Sequence, residues 1–470
     1  MSVVVIGGGV GGLATALALT RSGHAVTLLE RDQLPDLLDP ETAFASERRG
    51  APQVHQTHGF LARFLLVVRD RFPDVYQELL DLGCVPTSLT ARFGDPRPGD
   101  EDLAVMIARR TTVELVFRRA MLAQPGIDLR TGVGVTGLEV EVPAGEGAIP
   151  VVTGVRLDDG SVLAADAVVV ATGRRSTLPA WLADAGVEVP EVVHESGLMY
   201  LSRWYQLAPG FELQGEPKLH GDLRYVKYLG IPGDGGTFSV TIAVRVADTE
   251  LRSLLSDPAT FDAACRNLRG PSLFFEQGPV EAVTDVLPMS GLINRLRTFV
   301  RRDGSPSVLG LHAIGDAHTC TNPLYGRGCS IAMVHAVALA DAFAEHPDDP
   351  VARALAYEAV SARDIEPWFH ASVEMDKSGA DPGTDAAGER RPDPRNRLAA
   401  VFAASEHDPV LARGLMRMMN MLGTPSDLAT DPEFTARSMA VMADPDRYPI
   451  PPLEGPTRDE LLASLRSLAA

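Results

Sequence analysis

With 470 residues, 45% of them hydrophobic and 22% charged, the chain is long enough for two or three domains around sizeable cores. Its 43 basic and 62 acidic side chains leave a formal charge of −19, which argues against nucleic acid or an anionic membrane as a partner for the surface as a whole. Cys84, Cys265, Cys320 and Cys329 form no CxxC pair, so neither a disulfide framework nor a metal site is expected, which suits a reducing, cytoplasmic setting. Met1-Ser2 leads into an apolar run without a basic n-region, and no unbroken apolar stretch is long enough to span a bilayer, so neither a signal peptide nor a transmembrane segment is expected.

In chain order, Val3-Val4-Val5-Ile6 predicts a buried strand, Gly7-Gly8-Gly9-Val10-Gly11-Gly12 a glycine turn, Leu13–Leu19 a helix, and Ala25–Leu29 a second strand closed by Glu30 and Arg31. This is the dinucleotide fingerprint. Gly7 makes the tight turn, Gly9 lets the backbone approach a pyrophosphate, Gly12 lets helix and strand pack closely, and the helix N-terminus offers N–H groups to phosphate. Glu30 is placed to accept from ribose hydroxyls.

Residues 46–59 form a loop rich in donors, including Arg49, His55 and His58. The periodicity of Phe60 to Leu80 predicts a helix broken or kinked at Pro73, and Thr111 to Leu122 reads as a helix capped by Thr111 or Thr112 with Glu114 in its first turn. Gly132–Val140 alternates as a strand, Val151–Leu163 as a hairpin around Asp158-Asp159-Gly160, and Asp166–Ala171 is a buried strand feeding Thr172-Gly173-Arg174-Arg175. Leu198 to Val246 is strand-rich, Asp248 to Leu268 helical, Val308–Asp316 a buried strand, and Ser330 to Phe343 a helix. Beyond Val351 the chain reads as helices interrupted by a Gly/Asp/Pro/Arg-rich stretch, Lys377 to Arg397.

Three segments together resemble the FAD-dependent monooxygenase superfamily, which contains p-hydroxybenzoate hydroxylase: Gly7–Gly12 with Glu30; Val169–Ser176; and Gly315-Asp316 followed by Asn322-Pro323-Leu324-Tyr325-Gly326-Arg327-Gly328. The resemblance covers roughly residues 1–345. The Arg49–Gln53 loop, the Ala171–Arg174 turn with Pro179–Leu182, and Asn322–Gly326 are most similar to actinobacterial polyketide epoxidases and hydroxylases. It implies an α/β fold: a Rossmann-like FAD-binding domain of the glutathione-reductase type (1–180 and 291–350), a strand-rich substrate domain (181–290) and a helical C-terminal region (351–470).

It also implies that Gly7, Gly9, Gly11, Gly12, Glu30, Arg31, Thr172, Gly173, Gly315, Asp316, Pro323, Gly326, Gly328, Cys329 and Ser330 contact FAD. Asp316 takes the ribityl hydroxyls, and the N–H groups of Gly328, Cys329 and Ser330 face the flavin N1/C2 region. Arg49 and Arg110 are candidate pyrophosphate or ribityl partners or, equally, solvated arginines. Val135 lies against adenine by analogy alone. His55, His58 and Tyr325 are the candidates for a direct role in the chemistry, the histidines being otherwise loop residues that satisfy backbone groups. Cys329 reads as a packing residue rather than a covalent flavin site. Tyr200, Trp204, Tyr205, Tyr225, Tyr228, Phe238, Met289 and Tyr325 are candidate lining residues of a substrate pocket or, for most, core.

The implied activity is insertion of one oxygen atom from O2 into a small apolar organic substrate through a flavin C4a-hydroperoxide, by epoxidation or hydroxylation in secondary metabolism. Thr172 stands where many relatives have an acid that helps engage NADH or NADPH, so a separate flavin reductase is a possible partner. The alternatives are a flavin-dependent reductase of carbon–carbon double bonds, for which Tyr225–Pro232 is distantly suggestive, and a non-enzymatic flavoprotein. A halogenase ranks lower, because Trp181, Trp204 and Trp368 form no Trp-x-Trp-x-Ile arrangement.

Overall fold

The structure is a computed structural model and describes residues 1–34, 39–91, 93–145, 147–212, 219–378, 395–449 and 453–469. The elements that position the site are β1 (Ser2–Ile6), α1 (Val10–Arg21), β2 (Ala25–Glu30), α2 (Arg110–Leu122), β3 (Ile127–Thr131), β4 (Ala167–Val170), β5 (Leu198–Gln206), β6 (Val226–Pro232), β7 (Thr237–Arg245), β8 (Leu311–Ala313) and α3 (Gly328–Glu345). β-Branched Val3, Val4, Val5 and Ile6 are buried on both faces, as a central parallel strand requires. The five-stranded parallel sheet runs β8-β4-β1-β2-β3, with Val3 opposite Val26 on one side and Ala167 on the other.

α1 and α3 cover one face of this sheet. A Cβ at Gly11 would lie 3.2 Å from the Ala332 Cβ, so small residues let the two helices cross closely. By length and composition α3 could cross a membrane, but 72% of it is buried inside the fold, as in the core helix of a globular protein.

The second layer is a six-stranded sheet, with its longest strands, β6, β7 and β5, antiparallel. Alternate residues sort to its two faces. Leu201, Tyr205, Phe238, Val240, Ile242 and Val244 bury against the helices Thr249–Leu255, Pro258–Asn267 and Arg458–Ala469. Ser202, Ser239 and Thr241 lie on the opposite face and bond to Gln56 and Thr57: Ser202 Oγ donates to Gln56 Oε1 (2.6 Å), Thr57 Oγ1 to Ser239 Oγ (2.9 Å) and Thr241 Oγ1 to Thr57 Oγ1 (2.7 Å).

Several elements differ from the sequence expectation. The Phe60–Leu80 helix is two helices, Ala62–Arg71 and Pro73–Asp81, with Pro73 at the first helical position of the second, where its missing N–H costs nothing. α2 starts at Arg110, so neither Thr111 nor Thr112 is its N-cap. Asp234, 125 residues away, does the capping: its Oδ1 accepts from Arg109 N (2.5 Å) and its Oδ2 from Thr112 Oγ1 (2.8 Å). β3 was not expected. It is a sheet edge whose Asp128 and Arg130 face solvent, which dilutes its apolar pattern. The donor-rich loop is preceded by a short helix, Pro40–Ala45, capped by Asp39. The C-terminal helices serve several separate cores: Tyr357 joins that of α1 and α3, Trp368 packs with Ile331 and Val334 of α3, Leu411, Leu415 and Phe434 form their own, and Leu461, Leu462 and Leu465 join the antiparallel sheet's. Most of the Lys377–Arg397 stretch lies outside the described residues.

Arg109 joins the two layers. Its guanidinium bonds Asp234 Oδ2 and both Glu41 oxygens and lies 5.0 Å from the Phe44 ring centroid. Burial opposes its charge, and the two carboxylates outweigh burial and raise its pKa. The Asp234 side chain is 1% exposed and that of Glu41 68%. Asp234→Ala is therefore expected to cost about 3–5 kcal/mol, because it strands a buried charge. Glu41→Ala should cost under about 1 kcal/mol. Urea-denaturation midpoints check this, and equal losses would contradict it.

Candidate cofactor and substrate site

The glycine turn after β1 is a cradle that side chains would fill. Gly7 has φ +109°, and a Cβ there would lie 2.6 Å from the Ala171 carbonyl oxygen. A Cβ at Gly12 would lie 1.8 Å from the Gly7 oxygen, so the helix can start only because Gly12 has no side chain. A Cβ on Gly9 would lie 3.4 Å from Arg110 Nη2 and 3.7 Å from Glu114 Oε1, so the turn opens toward a charged groove.

Glu30, at the end of β2, accepts from Gly8 N (2.7 Å) and Asp32 N (2.9 Å). Arg48 reaches across to Glu114 (2.8 Å), Asp32 (3.3 Å) and Glu30 (3.4 Å), and Arg110 Nε donates to the other Glu114 oxygen (2.9 Å). Burial alone would raise the Glu114 carboxyl, but Arg110 and Arg48 outweigh it and hold it below the usual range. A groove of about 350 Å³ runs along Gly8, Ser46, Arg48, Thr111 and Glu114.

His58 closes this chain of charges. Burial, then the Arg110 guanidinium, push its pKa down to about 3, so it is neutral at physiological pH. Its tautomer follows from its neighbours. Arg110 Nη1 can only donate, so His58 Nε2 accepts from it (3.1 Å), and Nδ1–H donates to the Gln56 carbonyl (2.8 Å).

At the other end of the cradle, Gly315 follows β8 with φ +54°, and its N–H donates to His335 Nδ1 (3.0 Å). Burial raises the Asp316 carboxyl against the pull of Arg110, Arg174 and Arg295, so hydroxyl donors from a ligand would find a carboxylate in need of them. Arg174 Nη1 and Ser330 Oγ are buried polar atoms with no partner in the protein. α3 opens at Gly328 with no side-chain cap, leaving its first N–H groups for a ligand. The glycine cradle, the hydroxyl-seeking Asp316 and these orphaned donors together fit an extended dinucleotide such as FAD.

A second, open cleft of about 600 Å³ lies between the ends of β5, β6 and β7 and the Pro323–Tyr325 turn. Leu198, Val226, Ala243 and Leu324 form apolar walls, and Tyr325 and Asp376 supply polar groups. Tyr325 Oη and Asn322 Nδ2 donate to Asp376 Oδ1 (2.7 and 2.9 Å), Asn294 Nδ2 donates to Oδ2 (2.7 Å), and Tyr200 Oη donates to Asn322 Oδ1 (2.6 Å).

The structure brings together Gly7, Gly9, Gly11, Gly12, Glu30, Arg110 and His58, and around the start of α3 it gathers Gly315, Asp316, Pro323, Gly326, Gly328, Cys329 and Ser330. It does not bring in Arg49, whose side chain is 90% exposed beside Glu47; the neighbouring Arg48 turns inward. Arg31 donates to the Gly50 carbonyl (3.2 Å). Thr172 is tied to Ser176 (2.7 Å), and Gly173 takes φ +70°. Val135 packs in the core of the 135–164 strands. His55 Nε2 donates to the Phe44 carbonyl (2.7 Å) while its own carbonyl accepts from Trp204 (2.7 Å), so it braces the loop. Burial pushes the Cys329 thiol up to about 11 and keeps it protonated. Of the candidate lining residues, Tyr225 and Tyr325 line the cleft, whereas Tyr205, Tyr228 and Phe238 are core. Arg48, Arg295 and Asp376 were missed. In the sequence nothing separates Arg48 from Arg49, and the partners of Arg295 and Asp376 are distant in the chain.

Residues 2–77 match the family described as FAD dependent oxidoreductase. Over 366 residues the chain is 26% identical to Protein Rv3254 of Mycobacterium tuberculosis (strain ATCC 25618 / H37Rv), covering 71% of each. The crystal structure of p-nitrophenol 4-monooxygenase PnpA from Pseudomonas putida DLL-E4 superposes with a TM-score of 0.61 at 16% identity, over 90% of this chain and 98% of that one. The chain has the fold of the FAD-dependent monooxygenases. Diels-Alderase PyrE3, of the pyrroindomycin biosynthetic pathway, shares the fold at a TM-score of 0.57 and 16% identity, over 89% of this chain and 80% of that one, so the same scaffold carries different reactions.

The neutral His58 makes a prediction about acid stability. Its folded pKa of about 3 lies below the ordinary histidine value of 6.5, so below pH 6.5 the unfolded chain binds a proton that the folded chain does not. Its share of stability is intact above pH 6.5 and is lost as pH falls toward 3, at up to about 1.4 kcal/mol per pH unit. His58→Gln keeps one donor and one acceptor and is expected to flatten that dependence by this slope in urea melts between pH 6.5 and 4.

Proposed function

We infer that the chain is an FAD-dependent monooxygenase that inserts one oxygen atom into a small organic substrate, by epoxidation or hydroxylation. The observation that carries this reading is the pairing of a dinucleotide cradle with a separate cleft at the end of the antiparallel sheet: Gly328, at the start of α3, lies beside Asp316, and Leu324 and Tyr325 of the turn just before it line the cleft. The fold shared with PnpA supports it. When bound, FAD supplies the reductive activation of O2, the step that side chains cannot perform.

The chain's own residues hold and orient. Gly9 admits the pyrophosphate, with Arg110 and Arg48 as its counter-charges; Glu30 accepts from the adenosine ribose; Asp316 accepts from ribityl hydroxyls; and the N–H groups of Gly328, Cys329 and Ser330 face the side of the flavin where charge collects on reduction. The apolar walls at Leu198, Val226, Ala243 and Leu324 exclude water and hold the reacting carbon close to the flavin.

The purified protein is expected to be yellow and to release about one non-covalent FAD per chain on denaturation. Gly9→Val should abolish binding, since its side chain would occupy the pyrophosphate's place. Asp316→Ala should weaken binding by about 1–3 kcal/mol. A colourless protein that takes up no FAD would overturn the reading.

For the electron donor, Thr172 in place of an acid leads us to expect slow flavin reduction by NADH or NADPH alone and marked acceleration by an added flavin reductase. Stopped-flow absorbance checks this. Fast reduction by NADPH that is slowed by Arg174→Ala or Arg175→Ala would instead assign the phosphates of the nicotinamide cofactor to those arginines.

A further inference from the structure

The same cleft carries information about its ligand that the fold does not. The chain has a net charge of −19, yet the cleft lining holds the cations Arg224, Lys227 and Arg245 against a single carboxylate, Asp376. That carboxylate is already committed: Oδ1 accepts from Tyr325 and Asn322, and Oδ2 from Asn294. These donors are neutral, so Asp376 keeps its charge, and the cations of the lining still outnumber it.

One acid outside the lining, Asp222, bonds to the segment that carries two of these cations. Asp222 Oδ1 accepts from the backbone N–H of Arg224 (2.8 Å), and Asp222 Oδ2 pairs with Lys227 Nζ at 3.1 Å. Asp222 thus forms an ion pair with Lys227 alone, its bond to Arg224 being to the backbone, and the Arg224 guanidinium adds a further positive charge to the lining. Arg224 also has φ +69°, one of two non-glycine residues with positive φ among the described residues. That conformation costs about 1–2 kcal/mol, which glycine would avoid. Arg245, which has a partner of its own, sits opposite Leu198 in the β5–β7 register. Behind the cations, Leu198, Val226, Ala243 and Leu324 present an apolar wall.

We propose that this cleft recognises a substrate built as an apolar body with a carboxylate head, the head held at the mouth by Arg224 and Lys227 and the body directed along the apolar wall toward the Pro323–Tyr325 turn. An arginine fork and a lysine point charge together match the two oxygens of a carboxylate. A positive mouth on an acidic protein also draws anions in from solution. The proposal relies on the monooxygenase reading only in taking the flavin to lie beside the cleft, and it refines the expected apolar substrate into an amphiphilic acid.

Isothermal titration of the FAD-loaded protein tests it, with 4-phenylbutanoate against its neutral amide, 4-phenylbutanamide. The carboxylate is expected to bind about tenfold more tightly at low salt, with the advantage shrinking as ionic strength rises. Lys227→Met and Arg224→Ala should each weaken carboxylate binding several-fold and leave amide binding unchanged. The unchanged amide serves as the internal control for folding. Equal affinity for the two probes, no carboxylate binding at millimolar concentration, or a preference that survives both substitutions would overturn the proposal. A phosphonate analogue binding more than about tenfold more tightly than the carboxylate would overturn the choice of head group. The same titration without added FAD separates the two readings: a protein that never takes up FAD would refute the monooxygenase reading, while the anion preference would remain measurable by heat.

Discussion

Two consecutive arginines at the start of α2 set the geometry on which both clefts depend. Neighbouring helical positions point in different directions, so Arg109 and Arg110 serve different layers. Arg109 reaches Asp234 on the turn between β6 and β7, while Arg110 reaches Glu114 and His58 beside the glycine cradle. The antiparallel sheet is thereby locked to the helix that borders the dinucleotide groove. A shift of that sheet would have to break a buried ion pair whose acid also caps the helix. The cap and the clamp are one residue, Asp234, so helix formation and domain docking are coupled.

The groove itself is held together by ion pairs as well as by apolar packing. Glu30, Asp32 and Glu114 face Arg48 and Arg110, with the neutral His58 adding an acceptor without a further cation. A protonated His58 beside Arg110 would put two cations in contact, and the depressed pKa avoids this. The weakest link is the 3.4 Å approach of Arg48 to Glu30, whose oxygens already accept from Gly8 N and Asp32 N. Arg48 can therefore turn from Glu30 toward a phosphate without stranding that carboxylate.

What was legible in the sequence is what depends on local backbone geometry. The Gly7–Gly12 turn and the acid ending β2 follow from spacing within a few residues, the Gly315-Asp316 step came from the family resemblance, and the parallel strands are written as β-branched runs. What was not legible is every pairing made across the chain. Asp234 caps a helix 125 residues before it, and Asp376 gathers Tyr325 from 51 residues away. Arg48 and Arg49 look alike in sequence, and only the path of the loop decides which turns inward. The same loop shows how donor-rich composition misleads. Its donors invite assignment to a cofactor, but Gln56 and Thr57 are used to satisfy the hydroxyls of Ser202, Ser239 and Thr241 on the sheet.

That last use explains where specificity can reside. The antiparallel sheet has one face sealed by its own helices and most of the other stitched to the loop through buried hydroxyls, which cannot be left unpaired without cost. Only the end of the sheet is left to meet the Pro323–Tyr325 turn, and the cleft opens there. The scaffold shared with PnpA and PyrE3 carries different reactions, so specificity lies in side chains rather than in the fold. In this chain the side chains at the cleft combine a short apolar wall with a cluster of cations, and the charge of the ligand is read at the strand ends rather than by the fold.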